Sequence, residues 1–363
     1  MRPSALLRTL GPLLGLVLAW LFFRILAGAS FAAWENQKLM LLQTAVVGTA
    51  AVGATWIIVS GGIDLSVGST IALTTMVVAL LLEAGAPPTV AALGGLAAAA
   101  VVGLSIGALV TGHVVVFGVL AVTGALAGRF LGAPAALALV AALAALLAFA
   151  RAQRFVPRLE LSPFIVTLGM WGALRGLAKG LGGNRPIYPD DLGWLGALMV
   201  ESGSGPFSVL VPGVWILLFV ALLFALLLRS TVFGRHVRAI GSNEETARLC
   251  GVRVERAKLG LYTLAVACAG VAGLLQLGYL EIGDPTTAMG HELKVIAAVV
   301  IGGASLSGGE GTIQGTLIGA LIMVVVDNGC TKLGLDNWVQ DVVTGGIILA
   351  AVALDRLRHA GRG

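Results

Sequence analysis

Long apolar stretches separated by short polar connections set the rhythm of this chain. Crossing a ~30 Å hydrocarbon core takes about 20 apolar residues, fewer where a helix is broken. About twelve such runs can be read, at residues 10–29, 40–59, 65–82, 90–110, 114–131, 135–150, 164–181, 210–228, 259–280, 295–301, 313–326 and 339–354. The pattern predicts an all-α polytopic membrane protein. The stretch 114–150 and the short run at 295 are the least sharply bounded. Arg2 and Arg8 precede the first run, as in a signal peptide, but its length and Arg24 favour an uncleaved anchor.

The polar connections differ in charge. Arg229, Arg235, Arg238, Arg248, Arg253, Arg256 and Lys258 crowd one of them, and Arg151, Arg154 and Arg158 another. With twelve crossings these loops and both basic termini fall on one side, which the positive-inside rule makes the cytoplasm. The alternate connections carry Asp190, Asp191, Glu281, Asp284 and Glu292. A multi-pass membrane location with both termini cytoplasmic is the expectation.

Composition excludes a soluble domain. Hydrophobic residues make up 58% of the 363 and charged residues 11%, against roughly 25% charged in a soluble protein. The net charge of +5 is spread over loops rather than gathered in a patch, so no nucleic-acid partner is expected. Cys250, Cys268 and Cys330 lack metal-ligand spacing and cannot all pair; they read as packing residues, with no metal site. No His-Glu-x-x-His, Gly-x-Ser-x-Gly or paired-Asp arrangement lies within a run, so no catalytic residue is assigned.

Two segments echo each other. "SGGIDLSVGSTIAL" from Ser60 and "IGGASLSGGEGTIQG" from Ile301 align as Gly-Gly-x-x-Leu-Ser, each between two apolar runs. Paired glycine-interrupted segments point to a transporter built from repeats, with its path between them. The candidate path and helix-break residues are Gly61, Gly62, Asp64, Ser66, Gly302, Gly303, Ser307, Gly308 and Gly309. Asp64 either serves the path or caps the helix that starts at Leu65. "LSGGE" at Leu306–Glu310 also looks like the signature peptide of an ATPase. No Gly-Lys pair exists anywhere in the chain to cradle phosphate, so that likeness is misleading.

The longest basic connection, 229–258, contains "GSNEETARLCG". Ser242 with Glu245 three residues on reads as a capping box, and Gly251 as the stop of a helix over 243–250. A short capped helix there suits docking of a partner protein.

These segments, with "SPFIVTLGM" (162–170), "RGLAKGLGGNRPI" (175–187) and "VIGGASLSGGEGTIQGTLIGALIMVVVDNG" (300–329), occur in the order found in one family. The chain resembles the monosaccharide permeases of ABC importers, the ribose, xylose and galactose group of the branched-chain permease superfamily. One departure is a stretch of Ala, Leu and Val at 113–161, which reads as an inserted helical pair. The resemblance implies a single transmembrane permease domain over 1–363 with about 10 family-core helices plus that pair. It further implies a homo- or heterodimer of permeases in lipid, two separate ATPase subunits that bind the ATP, and a periplasmic or lipid-anchored sugar-binding protein. The permease itself would carry no ATPase activity and no cofactor. Coupling to the ATPases is assigned to Gly241, Ser242, Asn243, Glu244, Glu245, Arg248 and Gly251. The alternative is an ion-coupled secondary transporter of a small polar solute, which would need a buried mid-span carboxyl group. No run offers one to the sequence reader.

Overall fold

A computed structural model describes residues 3–113, 159–200 and 210–360. The predicted runs at 114–131 and 135–150, and so most of the predicted insert 113–161, lie outside the described residues.

The described residues form thirteen α-helices and a 3₁₀ turn, with no strand among them. In chain order they are α1 (Pro3–Leu26), α2 (Ala29–Ala32), α3 (Trp34–Val59), α4 (Val67–Glu83), α5 (Pro88–Val110) and α6 (Pro163–Leu181). The 3₁₀ turn Gly193–Met199 precedes α7 (Pro212–Ser230), α8 (Val232–Ser242), α9 (Glu244–Leu249) and α10 (Val254–Leu280). Then follow α11 (His291–Ile301), α12 (Ile313–Lys332) and α13 (Asn337–Ala360). Five of these, α3, α5, α7, α10 and α12, are long and apolar enough to cross a membrane. The apolar parts of α1, α4 and α13 are shorter.

The predicted run at 295–301 is part of an 11-residue helix, about 16 Å long at 1.5 Å per residue, which cannot cross alone. Irregular backbone at 281–290 leads into it. That loop is pinned to the loop after α6, where Ile187 and Gly283 exchange both backbone hydrogen bonds.

Helix α3 is the central post. It packs against α7, α10, α11 and α12, and almost every residue from Thr44 to Val59 is buried. Its threonines face protein yet leave no polar atom bare, because Thr44, Thr49 and Thr55 each donate to a carbonyl four residues back. Helix α4 solves the same problem with Thr70 and Thr74. Self-satisfied hydroxyls let polar residues stand where no water can reach.

Contacts assign the helix ends. Phe23 packs on Gly329 and Asn36 exchanges amide hydrogen bonds with Asn328, so the later parts of α1 and α12 lie with the start of α3. At the other end Val59 meets Gly241 and Gly309, and Gly107 lies against Leu259. The flanks of the undescribed segment return there too, with Leu159 N donating to Gly112 O at 3.3 Å. This end also carries Arg235, Arg238, Arg248, Arg253 and Arg256, and is called the basic end below.

The Asn36–Asn328 pair links the two helices of the bundle that enclose α11. Asn328→Leu leaves the Asn36 carbonyl buried without its donor, at a cost of about 1–2 kcal/mol. Thermal unfolding of the purified permease in detergent should start at lower temperature, whereas Ser105→Ala, which removes an exposed hydroxyl bonded only to its own helix, should leave the midpoint in place.

Candidate functional site

The two echoing segments fold alike. After α3, Gly61 (φ 82°) and Gly62 donate back to Ile58 and Ile57, both at 2.9 Å. After α11, Gly303 (φ 91°) and Ala304 donate back to Val300 and Val299, at 2.9 and 3.1 Å. Both are left-handed helix stops that satisfy the last carbonyls. The side chain three residues past Gly61 then accepts from the chain two residues on: Asp64 Oδ1 takes Ser66 N at 2.7 Å and Ser66 Oγ at 2.6 Å. Ser305 Oγ takes Ser307 N at 3.3 Å in the second copy. The aligned pairs 64/305 and 66/307 keep their register, while the glycine stop has slipped by one, Gly61 answering Gly303 rather than Gly302.

Asp64 thus braces the turn ahead of a helix that begins at Val67 rather than Leu65, with Ser66 at the cap position and no amide of the helix itself bonded to the Asp64 side chain. It is 3% exposed, and its second oxygen has no partner.

The predicted helix-break and coupling residues meet at one place. Gly309 N donates to Val59 O at 2.8 Å. A Cβ on Gly241 would drive into that same Val59 carbonyl, and a Cβ on Gly308 would stand 2.5 Å from Gly241 O. Gly308 and Gly309 both have left-handed backbone, at φ 86° and 78°. Three chain segments, the end of α3, the end of α8 and the loop before α12, thus touch backbone to backbone. No residue with a side chain fits at Gly241 or Gly308 without parting them.

From this junction the chain runs into the short helix that the sequence predicted, with one correction. Its cap is Asn243, whose Oδ1 accepts from Thr246 N at 2.8 Å, and not Ser242, which ends α8. Asn243 has extended backbone, φ −161° and ψ 107°, as a cap between two helices must. The position three residues after this cap is Thr246, so Glu245 forms no capping box. Glu244 is the anchored acid: it pairs with Lys258 at 2.7 Å and Arg248 at 3.4 Å. Gly251 (φ 85°) makes the predicted stop. Beneath, Ala247 packs with Ile240, Val254 and Ala257, while Leu249 is 83% exposed. Helix α8 ties the assembly inward, since Trp56 of α3 stacks against Phe224 of α7 and Phe233 of α8.

A third feature escaped the sequence reading. Trp171 Nε1 donates to Glu292 Oε1, Ser69 Oγ donates to the Trp171 carbonyl at 2.8 Å, and Arg175 Nη1 donates to the carbonyls of Pro285 and Thr287 at 3.0 and 2.7 Å. Gln276 supports Thr287 at 3.0 Å. Glu292 and Arg175 are 6% and 7% exposed, and Glu292 Oε2, Arg175 Nε and Arg175 Nη2 have no partner. Glu292 is a buried carboxyl group at the head of the half-helix α11, three residues before the predicted run 295–301; the sequence places it in a polar connection, and the structure buries it. The available signal was Arg175, a cation inside an apolar run.

Residues 110–352 match the family described as branched-chain amino acid transport system / permease component. The ribose import permease protein of Bacillus subtilis (strain 168) is 35% identical over 357 residues, covering 98% of this chain and 95% of that protein. The ribose import permease protein of Escherichia coli (strain K12) is 37% identical over 336 residues, 91% of this chain and 88% of its own. The fructose import permease protein of Rhizobium meliloti is 30% identical over 349 residues, 95% and 84%. No solved structure gives a significant match. A matching family over two thirds of the residues, and relatives aligned nearly end to end, place the chain without ambiguity: it belongs to the branched-chain transport-system permease family.

Proposed function

We propose that this chain is the membrane-spanning permease of an ATP-driven importer for a monosaccharide. The relatives named for ribose and fructose import support the substrate class. The observation that carries the mechanism is the backbone junction of Val59, Gly241 and Gly309, because it joins an exposed, capped helix directly to both helix breaks.

In this reading α9 is the docking element for a separate ATPase subunit, with Leu249 as its apolar contact and Glu244, Glu245 and Arg248 at the rim. Closure of two ATPases on ATP pushes α9. The push passes through Gly241 to the end of α3 and to the loop before α12, whose helices enclose the path. The permease makes no covalent chemistry; it changes which of its states is favoured. A second permease subunit, identical or related, completes the path, and a soluble or lipid-anchored binding protein delivers the sugar. The clustering of arginines at the basic end supports a cytoplasmic position for α9 and for both termini. Proton- or cation-driven transport is the other use a buried Glu292 could have.

The purified permease alone should neither bind nor hydrolyse ATP. With its ATPase and loaded binding protein in vesicles, uptake should follow ATP and ignore an ionophore; uptake that collapses with the ionophore would favour the ion-coupled alternative. Asn243→Ala removes the cap, at a cost of ~0.5–2 kcal/mol, small for the whole fold but enough to fray a six-residue helix. Gly251→Val should be worse, since its φ of 85° disfavours a β-branched residue. Both variants should insert and dimerise normally, yet lose most uptake and most receptor-stimulated ATPase activity. Full-rate transport by either would reduce α9 to a surface connection.

A further inference from the structure

Trp171 stands near the middle of α6, nine residues into a helix of nineteen. A tryptophan N–H needs a hydrogen-bond partner wherever it leaves water. Its N–H is held from inside by Glu292, and its carbonyl by Ser69. The residue as a whole is 39% exposed. Beside it on the open side of the helix is Gly172, where a Cβ would meet nothing within 4 Å.

The open face of α6 around Trp171 is apolar, with Ile165, Leu168 and Leu177 exposed along it, and the polar groups stand on its inner side. Directly behind it lie Arg175 and Glu292, both nearly fully buried and both with unpartnered polar atoms. Ionisable groups at membrane depth face the bundle interior or a water-filled path. The half-helix α11 also starts here, and discontinuous helices begin where a substrate is held. An aromatic face backed by buried hydrogen-bond donors and acceptors becomes a surface for a small polyol once those groups are uncovered. The C–H face of a sugar ring packs on the indole, and its hydroxyls reach the polar edge.

We propose that Trp171 is a monosaccharide-contacting residue of the translocation path, a stacking platform whose ring is set by Glu292 as a positioning residue. The proposal rests on the importer reading above. In the present conformation Glu292 Oε2 lies against Gly68, where a Cβ would stand 2.5 Å from it. The polar edge therefore opens to a sugar only when α4 and α11 separate.

The test is uptake of labelled D-ribose, D-fructose and L-arabinose by vesicles containing the whole importer. Trp171→Leu should cut the initial rate at least tenfold and leave receptor-stimulated ATPase activity within twofold. Trp171→Phe, which keeps an aromatic face, should stay within threefold of wild type. Glu292→Gln, which keeps an acceptor for the indole, should be close to wild type, and Glu292→Leu should resemble Trp171→Leu. Gly172→Val adds bulk where a Cβ meets nothing within 4 Å and should slow uptake while the dimer stays intact on size exclusion. This variant decides the matter if Trp171→Leu fails to assemble. Wild-type rates in Trp171→Leu, equal damage from Trp171→Phe, or no effect of Gly172→Val would each overturn the proposal, the last in favour of lipid. Loss of the dimer in Gly172→Val would overturn it in favour of a second copy on this face. A wild-type importer that takes up none of the three sugars would instead sink the importer reading, and this proposal with it.

Discussion

The end of α3 depends on a contact that only bare backbone can make. Val59 offers its carbonyl to Gly309 N, and Gly241 lies so close to the same carbonyl that no side chain fits between them. Packing that tight transmits displacement rather than absorbing it, because there is no flexible side chain to yield. Helices α3, α8 and the 302–312 loop are thereby bound at one point. Two of the three lead to the helix breaks and the third to the exposed α9. On the proposed reading, this rigid contact is what would join the docking surface at α9 to the helix breaks.

A second constraint shapes the opposite part of the bundle. Irregular backbone at membrane depth is tolerated only where protein or a cavity satisfies it. The 281–290 loop meets that demand with the Ile187–Gly283 bridge, the Asp284–Thr286 turn and the Arg175 guanidinium, which takes up the carbonyls of Pro285 and Thr287. Arg175 thus holds in place the loop from which α11 starts, and Lys294 of α11 is paired with Asp327 of α12 at 2.6 Å. The charges in this region are structural ties, which is why they sit among apolar helices at all.

Much of this was legible in the sequence, for identifiable reasons. Helix positions followed from apolar run lengths, and the two stops at Gly61 and Gly303 from the repeated Gly-Gly pairs. The capped helix was found within a residue. Its cap was placed at Ser242 because Ser-x-x-Glu is the stronger local signal; tertiary packing of Ile240 and Gly241 carries α8 one residue further and hands the cap to Asn243. The half-helix was read as a short crossing, since periodicity cannot reveal that the preceding loop dips inward. The Trp171–Glu292 contact joins residues 121 apart in sequence, and no local pattern encodes it. The sequence marks Gly308 and Gly309 as helix-break residues and Gly241 as a coupling residue; that they touch is a property of the fold alone.

The rigid junction can be tested by locking it. A Cβ on Gly309 would lie 3.5 Å from that of Ser242, within the ~3.5–4.5 Å a disulfide spans. In a Cys250→Ser background, which removes the exposed native thiol, Ser242→Cys with Gly309→Cys should oxidise readily. The reduced double variant controls for strain at Gly309. If α8 and the 302–312 loop move as one body, ATP-driven uptake by the reconstituted importer will be the same oxidised and reduced. Uptake abolished by oxidation and restored by reductant would mean that the two segments part during the cycle, and the relay would have to run elsewhere.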